Sequence, residues 1–363
     1  MPWNWQLKEW PKFYYDTACI AEQERQFLLG LGSATAFLKT IEESEYYKFV
    51  IEILSQEGIE SSKIEGEILE RESLQSSIKK HFGLAAHVKH IGKKESGMAH
   101  LLCDVYESFQ KPLSNEILFK WHEMLFRDMR ESGQYRTHSE TMQIVSNRLD
   151  VPKVFFEAPP SDRVPYEMDA FINWFNTLDQ KSSVLGQAAI AHVYFESIHP
   201  FEDGNGRIGR ALIEKFFSRI VGRPILISVS RVLEKRKKEY YAALESCNRT
   251  LNAQSWVQFF SESVLQAQKD SMDFIQFLVA KSRLFSVLAG KINVRQEKVL
   301  LRMFESGPLG FQGGLSAENY IAITKASRAT TTRDLAELIS LGALVKTGEL
   351  RYTRYWLNLN LPS

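Results

Sequence analysis

Cysteine is scarce, long apolar runs are missing, and neither sign of charge is in excess. Only Cys19, Cys103 and Cys247 occur among 363 residues, too far apart for the paired spacing of a zinc site or a redox dithiol. Reduced thiols in a cytosol are the expectation. No uninterrupted apolar stretch reaches membrane-spanning length, and the aromatic, polar opening from Met1 to Trp10 lacks the apolar core of a signal peptide. The chain therefore reads as cytoplasmic, neither exported nor set in a membrane. Lys and Arg number 45 against 44 Asp and Glu, so affinity for nucleic acid has to come from a local patch. There is no internal repeat and no low-complexity tract.

What is present suits packed cores. Hydrophobic residues make up 44% and charged residues 25%, ordinary globular usage, and the length exceeds what one core usually supports. Helical spacing dominates, with one stripe at Phe27, Leu28, Leu31 and Phe37 to Ile41 and another at Tyr47, Val50, Ile51 and Leu54. The spacing predicts further helices over 98–108, 114–130, 165–178, 184–198, 211–220, 231–246 and 254–286, that over 184–198 buried on most sides. Between Thr141 and Phe156, β-branched and aromatic residues flank Ser146-Asn147, and Ala158-Pro159-Pro160 follows, which reads as a hairpin flap. Helices over 294–305, 316–323 and 327–341 precede two strands, Leu344-Val345 and Tyr352 to Leu357, about a turn at Thr347-Gly348-Glu349.

Chemistry concentrates between 199 and 210. Gly204, Asn205 and Gly206 lie between an apolar helix and a second helical run, where small residues let backbone N–H groups approach an anion at a helix start. Arg207 and Arg210, three apart, project from one face and suit neighbouring phosphates. Asp203 offers a hard oxygen for Mg²⁺. A neutral His199 imidazole can accept a proton from an attacking hydroxyl.

The string His199-Pro-Phe-Glu-Asp-Gly-Asn-Gly-Arg-Ile-Gly-Arg210 matches every fixed position of the Fic (filamentation induced by cAMP) motif. The resemblance implies transfer of AMP from ATP to a Ser, Thr or Tyr hydroxyl of a protein, with pyrophosphate leaving. By the same resemblance His199 is the base and Asp203 holds Mg²⁺ against the α- and β-phosphates. Amides around Gly204 to Gly206, with Asn205, stabilise the transferred group, and Arg207 and Arg210 hold the β- and γ-phosphates. Relatives that transfer a terminal phosphate instead carry Lys where this chain has Gly206. The segment Gly133-Gln134-Tyr135-Arg136 and the following hairpin resemble the family's target-docking flap, and Phe201 is expected in the core.

Ser61-Ser62-Lys63-Ile64-Glu65-Gly66 resembles the family's inhibitory motif, with Ser61, Glu65 and Gly66 at its fixed positions. The expectation is a bidentate pair between Glu65 and Arg210 where the γ-phosphate belongs. The same carboxylate can instead position a water that removes AMP from a modified target. The aromatic opening resembles an uncharacterised N-terminal domain of some bacterial Fic proteins and should pack on the core. At the far end, 292–363 carries nine Lys or Arg against six Asp or Glu, and the segment from Ser327 to Leu335 resembles a winged-helix recognition helix, with Arg328, Thr331 and Arg333 expected to face phosphates or base edges.

The sequence therefore describes a mainly α protein. An N-terminal helical region with an inhibitory helix (1–95) precedes a Fic helical core with a short β-hairpin flap (96–262), a connecting helix (263–291) and a C-terminal winged-helix domain (292–363). Its leading function is autoinhibited protein adenylyltransferase using ATP and Mg²⁺ on a protein substrate. The alternatives are a de-AMPylating phosphodiester hydrolase and a nucleotide-sensing DNA-binding regulator. DNA or protein as the winged helix's partner, and a homodimer, are left open.

Overall fold

The structure, a computed structural model, describes residues 1–38, 41–84, 91–127, 132–145, 154–177, 182–307, 310–311 and 313–359. They gather into two compact units, one of 1–33 with 50–269, the other of 34–49 with 270–363. Fourteen α-helices lie among the described residues, and the strands form two antiparallel pairs, so the mainly helical class read from the sequence is the observed one.

In chain order come α1 (Ala21–Leu38), α2 (Glu43–Ile64), α3 (Arg71–His81), α4 (Lys93–Ser108) and α5 (Asn115–Leu125), then β1 (Gln143–Val145) and β2 (Val154–Glu157). Next follow α6 (Val164–Asn176), α7 (Val184–Ile198), α8 (Asn205–Val221), α9 (Val229–Lys235), α10 (Lys237–Glu245) and α11 (Gln254–Leu288). The chain closes with α12 (Val294–Glu305), α13 (Ala317–Thr324), α14 (Arg328–Ser340), β3 (Leu344–Thr347) and β4 (Arg354–Leu357).

Helix α7 runs through the core of the first unit, every residue but Gln187 and Glu196 being buried. Its first turn is capped twice: Ser183 Oγ accepts from Gly186 N, and the Glu24 carboxylate accepts from Val184 N and Leu185 N. Those bonds satisfy donors that a helix start leaves free. Phe195, Phe171, Phe216, Phe217 and Trp256 fill the surrounding space. Helix α5 starts at its Ser114 cap as predicted but stops at Phe126, whose backbone has left the helical region. The single helix expected over 231–246 is two, because Arg236 breaks from helical geometry between α9 and α10.

Strands β1 and β2 pair with Gln143 opposite Glu157 and Ile144 opposite Phe156. The Ser146-Asn147 turn lies outside the described residues. The outward carbonyls of β2 are already taken: Trp5 Nε1 donates to Glu157 O at 2.7 Å and Asn248 Nδ2 to Phe155 O at 2.9 Å. Trp3 and Trp5 pack with Phe156 and Ala158, and the Trp10 ring stands edge-on to Tyr194. The aromatic opening is therefore packing material, as expected.

In the second unit α12, α13 and α14 enclose Leu300, Met303, Tyr320, Leu335 and Leu338 together with Leu344 of β3. The buried Asp334 carboxylate ties them, accepting from Arg295, Asn293 and the Tyr320 hydroxyl. Thr331 corrects the sequence reading: it is fully buried and faces the packed side of α14, leaving Arg328, Thr332 and Arg333 exposed. The β3–β4 connection is longer than a three-residue turn, because Leu350–Tyr352 forms a 3-10 turn within it. Among the described residues no helix is long and apolar enough to cross a membrane.

Candidate active site

The site forms where α7 ends and α8 begins. His199 caps α7 in the left-handed region (φ 51°), its N–H donating to Phe195 O, a conformation that costs a non-glycine residue energy and needs support around it. Arg136 supplies that support. Its Nε donates to His199 O at 2.8 Å and its Nη2 to Ile198 O at 3.3 Å, while its backbone N–H donates to Pro200 O. A buried cation thus satisfies the last carbonyls of α7 and favours the negative end of its dipole. Behind the loop, Phe201 is buried as expected and stacks on His122 with ring centroids 4.4 Å apart.

Gly204 enters α8 with φ 83°, and a Cβ there would lie 2.6 Å from the Phe126 ring. Both glycine properties are used at this one position: a left-handed turn and a close approach. The first amides of α8 have no partner within the helix and make its start an anion seat. Asn205 Oδ1 accepts from Phe201 N at 2.9 Å and its Nδ2 donates to Phe201 O at 2.7 Å, so the side chain braces the loop. Arg207 and Arg210 are both buried beside the seat, and Arg207 Nε, Arg210 Nη1 and His199 Nδ1 are buried without a hydrogen-bond partner. Buried donors left unpaired are costly, and an anion is the partner that would satisfy the two guanidiniums.

The segment after α2 reaches the same place. Gly66 takes φ 82°, and Glu67 N donates back to Ser62 O, reversing the chain so that its carboxylates turn toward α8. Arg210 Nη2 donates to Glu65 Oε1 at 2.7 Å and to Ser61 O at 2.8 Å, while Nε donates to Ser61 Oγ at 2.8 Å. The expected bidentate Glu65–Arg210 pair is therefore a pair through Nη2 alone, which Ser61 O shares, while Ser61 Oγ holds Nε. Glu65 Oε1 lies over Gly206, where any Cβ would collide with it. Ser61, Glu65, Gly66, His199, Asp203, Gly204, Asn205, Gly206, Arg207 and Arg210 are thus gathered in the first unit.

Sequence reasoning missed Glu67. Its Oε2 accepts from Arg207 Nη1 at 2.7 Å and its Oε1 pairs with Lys94 Nζ at 2.7 Å. The signal was available, since Glu65 and Glu67 are spaced for Arg210 and Arg207 once Gly66 reverses the chain. The role of Arg136 was missed as well, because nothing in the sequence relates it to carbonyls more than sixty residues away.

Burial pulls His199 down to about 4, with the Arg136 charge adding to the effect, so the imidazole is neutral at physiological pH. Burial works against the charge of Arg210, but Glu65, Tyr240 and Glu196 outweigh it and hold the guanidinium charged. Asp203 is the open group, its side chain 63% exposed, with Oδ1 accepting from Gly204 N at 2.5 Å and from Arg207 Nη2 at 3.4 Å. Among the described residues no three His, Cys, Asp or Glu side chains converge on a metal position. One exposed carboxylate beside a phosphate seat fits Mg²⁺ brought in on a nucleotide, since that ion keeps waters and shares phosphate oxygens.

A helical protein whose central helix ends in a histidine and opens onto an anion seat is the class that fold and site define. The chain carries a Fic/DOC family domain, matched over residues 112–217, and residues 3–84 match a domain of unknown function, DUF4172. A probable protein adenylyltransferase of Aquifex aeolicus is 27% identical over 158 residues, 43% of each chain. The protein adenylyltransferase Fic of Drosophila melanogaster is 30% identical over 155 residues, 39% of this chain and 30% of that one. The chain thus spans less than half the length of these curated relatives. Among solved structures, a Fic family protein from Desulfovibrio desulfuricans aligns with a TM-score of 0.57 at 20% identity, covering 95% of this chain and 97% of that one. Fic-1 from C. elegans aligns at 0.52 and 20%, covering 74% and 75%. Both likenesses concern the fold.

Proposed function

We propose that this chain is a protein adenylyltransferase held back by its own Glu65. The observation that carries the reading is the Glu65 carboxylate over the first turn of α8, bonded to Arg210 at 2.7 Å, the position a nucleotide phosphate needs. The protein adenylyltransferases among its relatives support the chemistry. In the reaction a Ser, Thr or Tyr hydroxyl of the target attacks the α-phosphorus of ATP. Its proton passes to His199, the bond from the α-phosphorus to the bridging oxygen breaks, and pyrophosphate departs. The amides of Gly204 to Gly206 stabilise the transferred group, Asn205 holding their loop in shape. Arg207 and Arg210 hold the β- and γ-phosphates. Asp203 would hold Mg²⁺, which supplies charge neutralisation on the phosphates. Gly206 leaves the seat open where a lysine would fill it, favouring nucleotidyl over phosphoryl transfer.

The test uses wild type, Glu65→Gly and Glu65→Gly/His199→Ala with α- and γ-labelled ATP in parallel, following label on protein. Glu65→Gly should take up α-label about 10- to 100-fold faster than wild type, the worth of a charge-assisted bond of ~1.5–3 kcal/mol. Adding His199→Ala should cost about 10²- to 10⁴-fold. Transfer of γ-label would make the chemistry kinase-like. No label on any variant, with ATP still bound, would turn the reading to AMP removal, in which Glu65 orients the attacking water.

A second reading concerns the C-terminal unit. Arg328 and Arg333 on α14 and Lys346 and Arg351 around the β3–β4 hairpin are exposed, an arrangement that fits a winged helix on the phosphates of a DNA duplex. Duplex binding that survives His199→Ala and weakens as salt rises supports it; binding lost with His199 or indifferent to salt counts against it.

A further inference from the structure

One half-buried carboxyl beside the site has no role in the chemistry above. Glu196 lies on α7 one helical turn before His199, and its side chain is only 15% exposed. Its Oε1 has no hydrogen-bond partner, and the same is true of His199 Nδ1 and of His192 Nδ1 one turn further back. Residues 192, 196 and 199 share one face of a helix by spacing. That face meets α8 at Gly209, where a Cβ would sit 2.5 Å from Glu196 Oε1 and 3.3 Å from His192 Nδ1. The glycine makes room for the carboxyl. Glu196 Oε2 stands 3.9 Å from His199 Nδ1.

We propose that Glu196 is the positioning residue of His199, its own charge state deciding which imidazole nitrogen carries the proton. The proposal rests on His199 being the base. A neutral imidazole has one N–H and one acceptor, and the hydrogen bond at one nitrogen fixes the other. As a carboxylate, Glu196 accepts from Nδ1–H, leaving Nε2 free to take the hydroxyl proton. As a carboxylic acid, Glu196 donates to Nδ1, so the proton sits on Nε2 and that nitrogen cannot act as base.

The surroundings set the balance. Burial and the neighbouring Glu65 push Glu196 up to about 8, while Arg210 on α8 pulls against them. The other titratable neighbours are Tyr241, raised chiefly by burial, and His192 and Tyr240, joined by a 2.8 Å bond between Nε2 and the hydroxyl. His192 is held neutral by burial, at about 3, and the Tyr240 hydroxyl is raised by burial. Glu65 therefore acts twice, once on Arg210 by contact and once on the base through Glu196.

The experiment reads the imidazole directly. In the full chain labelled with ¹⁵N-histidine, the His199 signals are identified by their loss in His199→Ala. Between pH 6 and 9 the wild-type nitrogen shifts should cross over near pH 8, from proton on Nε2 to proton on Nδ1. Glu196→Gln should abolish the crossover. Wild-type shifts that stay constant over this range overturn the proposal, as does a crossover that persists in Glu196→Gln. The wild-type titration alone suffices if the variant fails to fold. Transfer activity is no part of this readout, so full activity in His199→Ala would remove the base assignment without disturbing the tautomer result.

Discussion

Two carboxylates and two guanidiniums meet at the start of α8, and each pair is separable by substitution. Glu67 is bonded to Arg207 at 2.7 Å and to Lys94 at 2.7 Å, so removing Glu65 alone leaves Arg207 paired. Glu67→Gln in a Glu65→Gly background should lower the apparent KM for ATP about tenfold, for a bond of ~1.5 kcal/mol, with kcat little changed; an unchanged KM would show that Arg207 is free without the substitution. At this scale the motif was highly legible. Its residues converge as their spacing required, from His199 and Asp203 to Arg207 and Arg210. What could not be read was which side chains would spend their polar groups on the protein itself. Asn205 turns both ends of its amide onto Phe201, and Arg210 gives one arm to Ser61. Both outcomes depend on which backbone groups lie near, and sequence spacing carries no record of that.

The elements themselves followed periodicity closely where one face is apolar. Helix α7 occupies 184–198 and α12 occupies 294–305, as their patterns predicted. Errors came at ends and breaks, at Phe126 and Arg236, where nothing in the side-chain pattern marks the change in backbone. The face of α14 was misjudged at one residue: Thr331 is small and polar, yet it packs inward beside Asp334 and Leu335. That correction leaves Arg328 and Arg333 of the expected contact set, with Thr332 exposed beside them. If α14 meets DNA, the slope of log affinity against log salt should flatten by about one for each of Arg328→Ala and Arg333→Ala. Fluorescence anisotropy on a labelled duplex would measure it; an unaltered slope in both variants would remove the helix from consideration.

At the scale of the whole chain, buried titratable groups oppose one another. His122, His192 and His199 are depressed to about 4, 3 and 4 by burial, so from pH 6.5 downward the unfolded chain binds protons that the folded chain refuses. Glu196 is raised to about 8, and Glu57 and Glu214 are raised too, all by burial. Above pH 4.5 these three keep protons in the folded state that the unfolded chain releases. Stability rises with pH where the unfolded state binds more protons and falls where the folded state does. The two sets oppose each other between about pH 4.5 and 6.5, the histidines acting alone below it and the carboxyls above it. Thermal unfolding followed against pH should show a plateau there, with the midpoint falling toward pH 4 on one side and pH 8 on the other. Glu196→Gln should soften the alkaline decline, and a midpoint still climbing from pH 6.5 to 8 would contradict the assignment of these groups.

If Glu65 inhibits as proposed, Gly206 turns that inhibition into a contest for a seat. With no side chain at 206 over the first turn of α8, the Glu65 carboxylate occupies the space a Cβ there would take. Glu65 is in effect a tethered ligand, present at an effective concentration in the millimolar range that a short connection imposes. A nucleotide that binds there would compete with it by mass action, so its apparent affinity would follow the length and stiffness of the turn at Gly66. Lengthening that turn by a few flexible residues would raise that affinity without altering a residue of the seat itself.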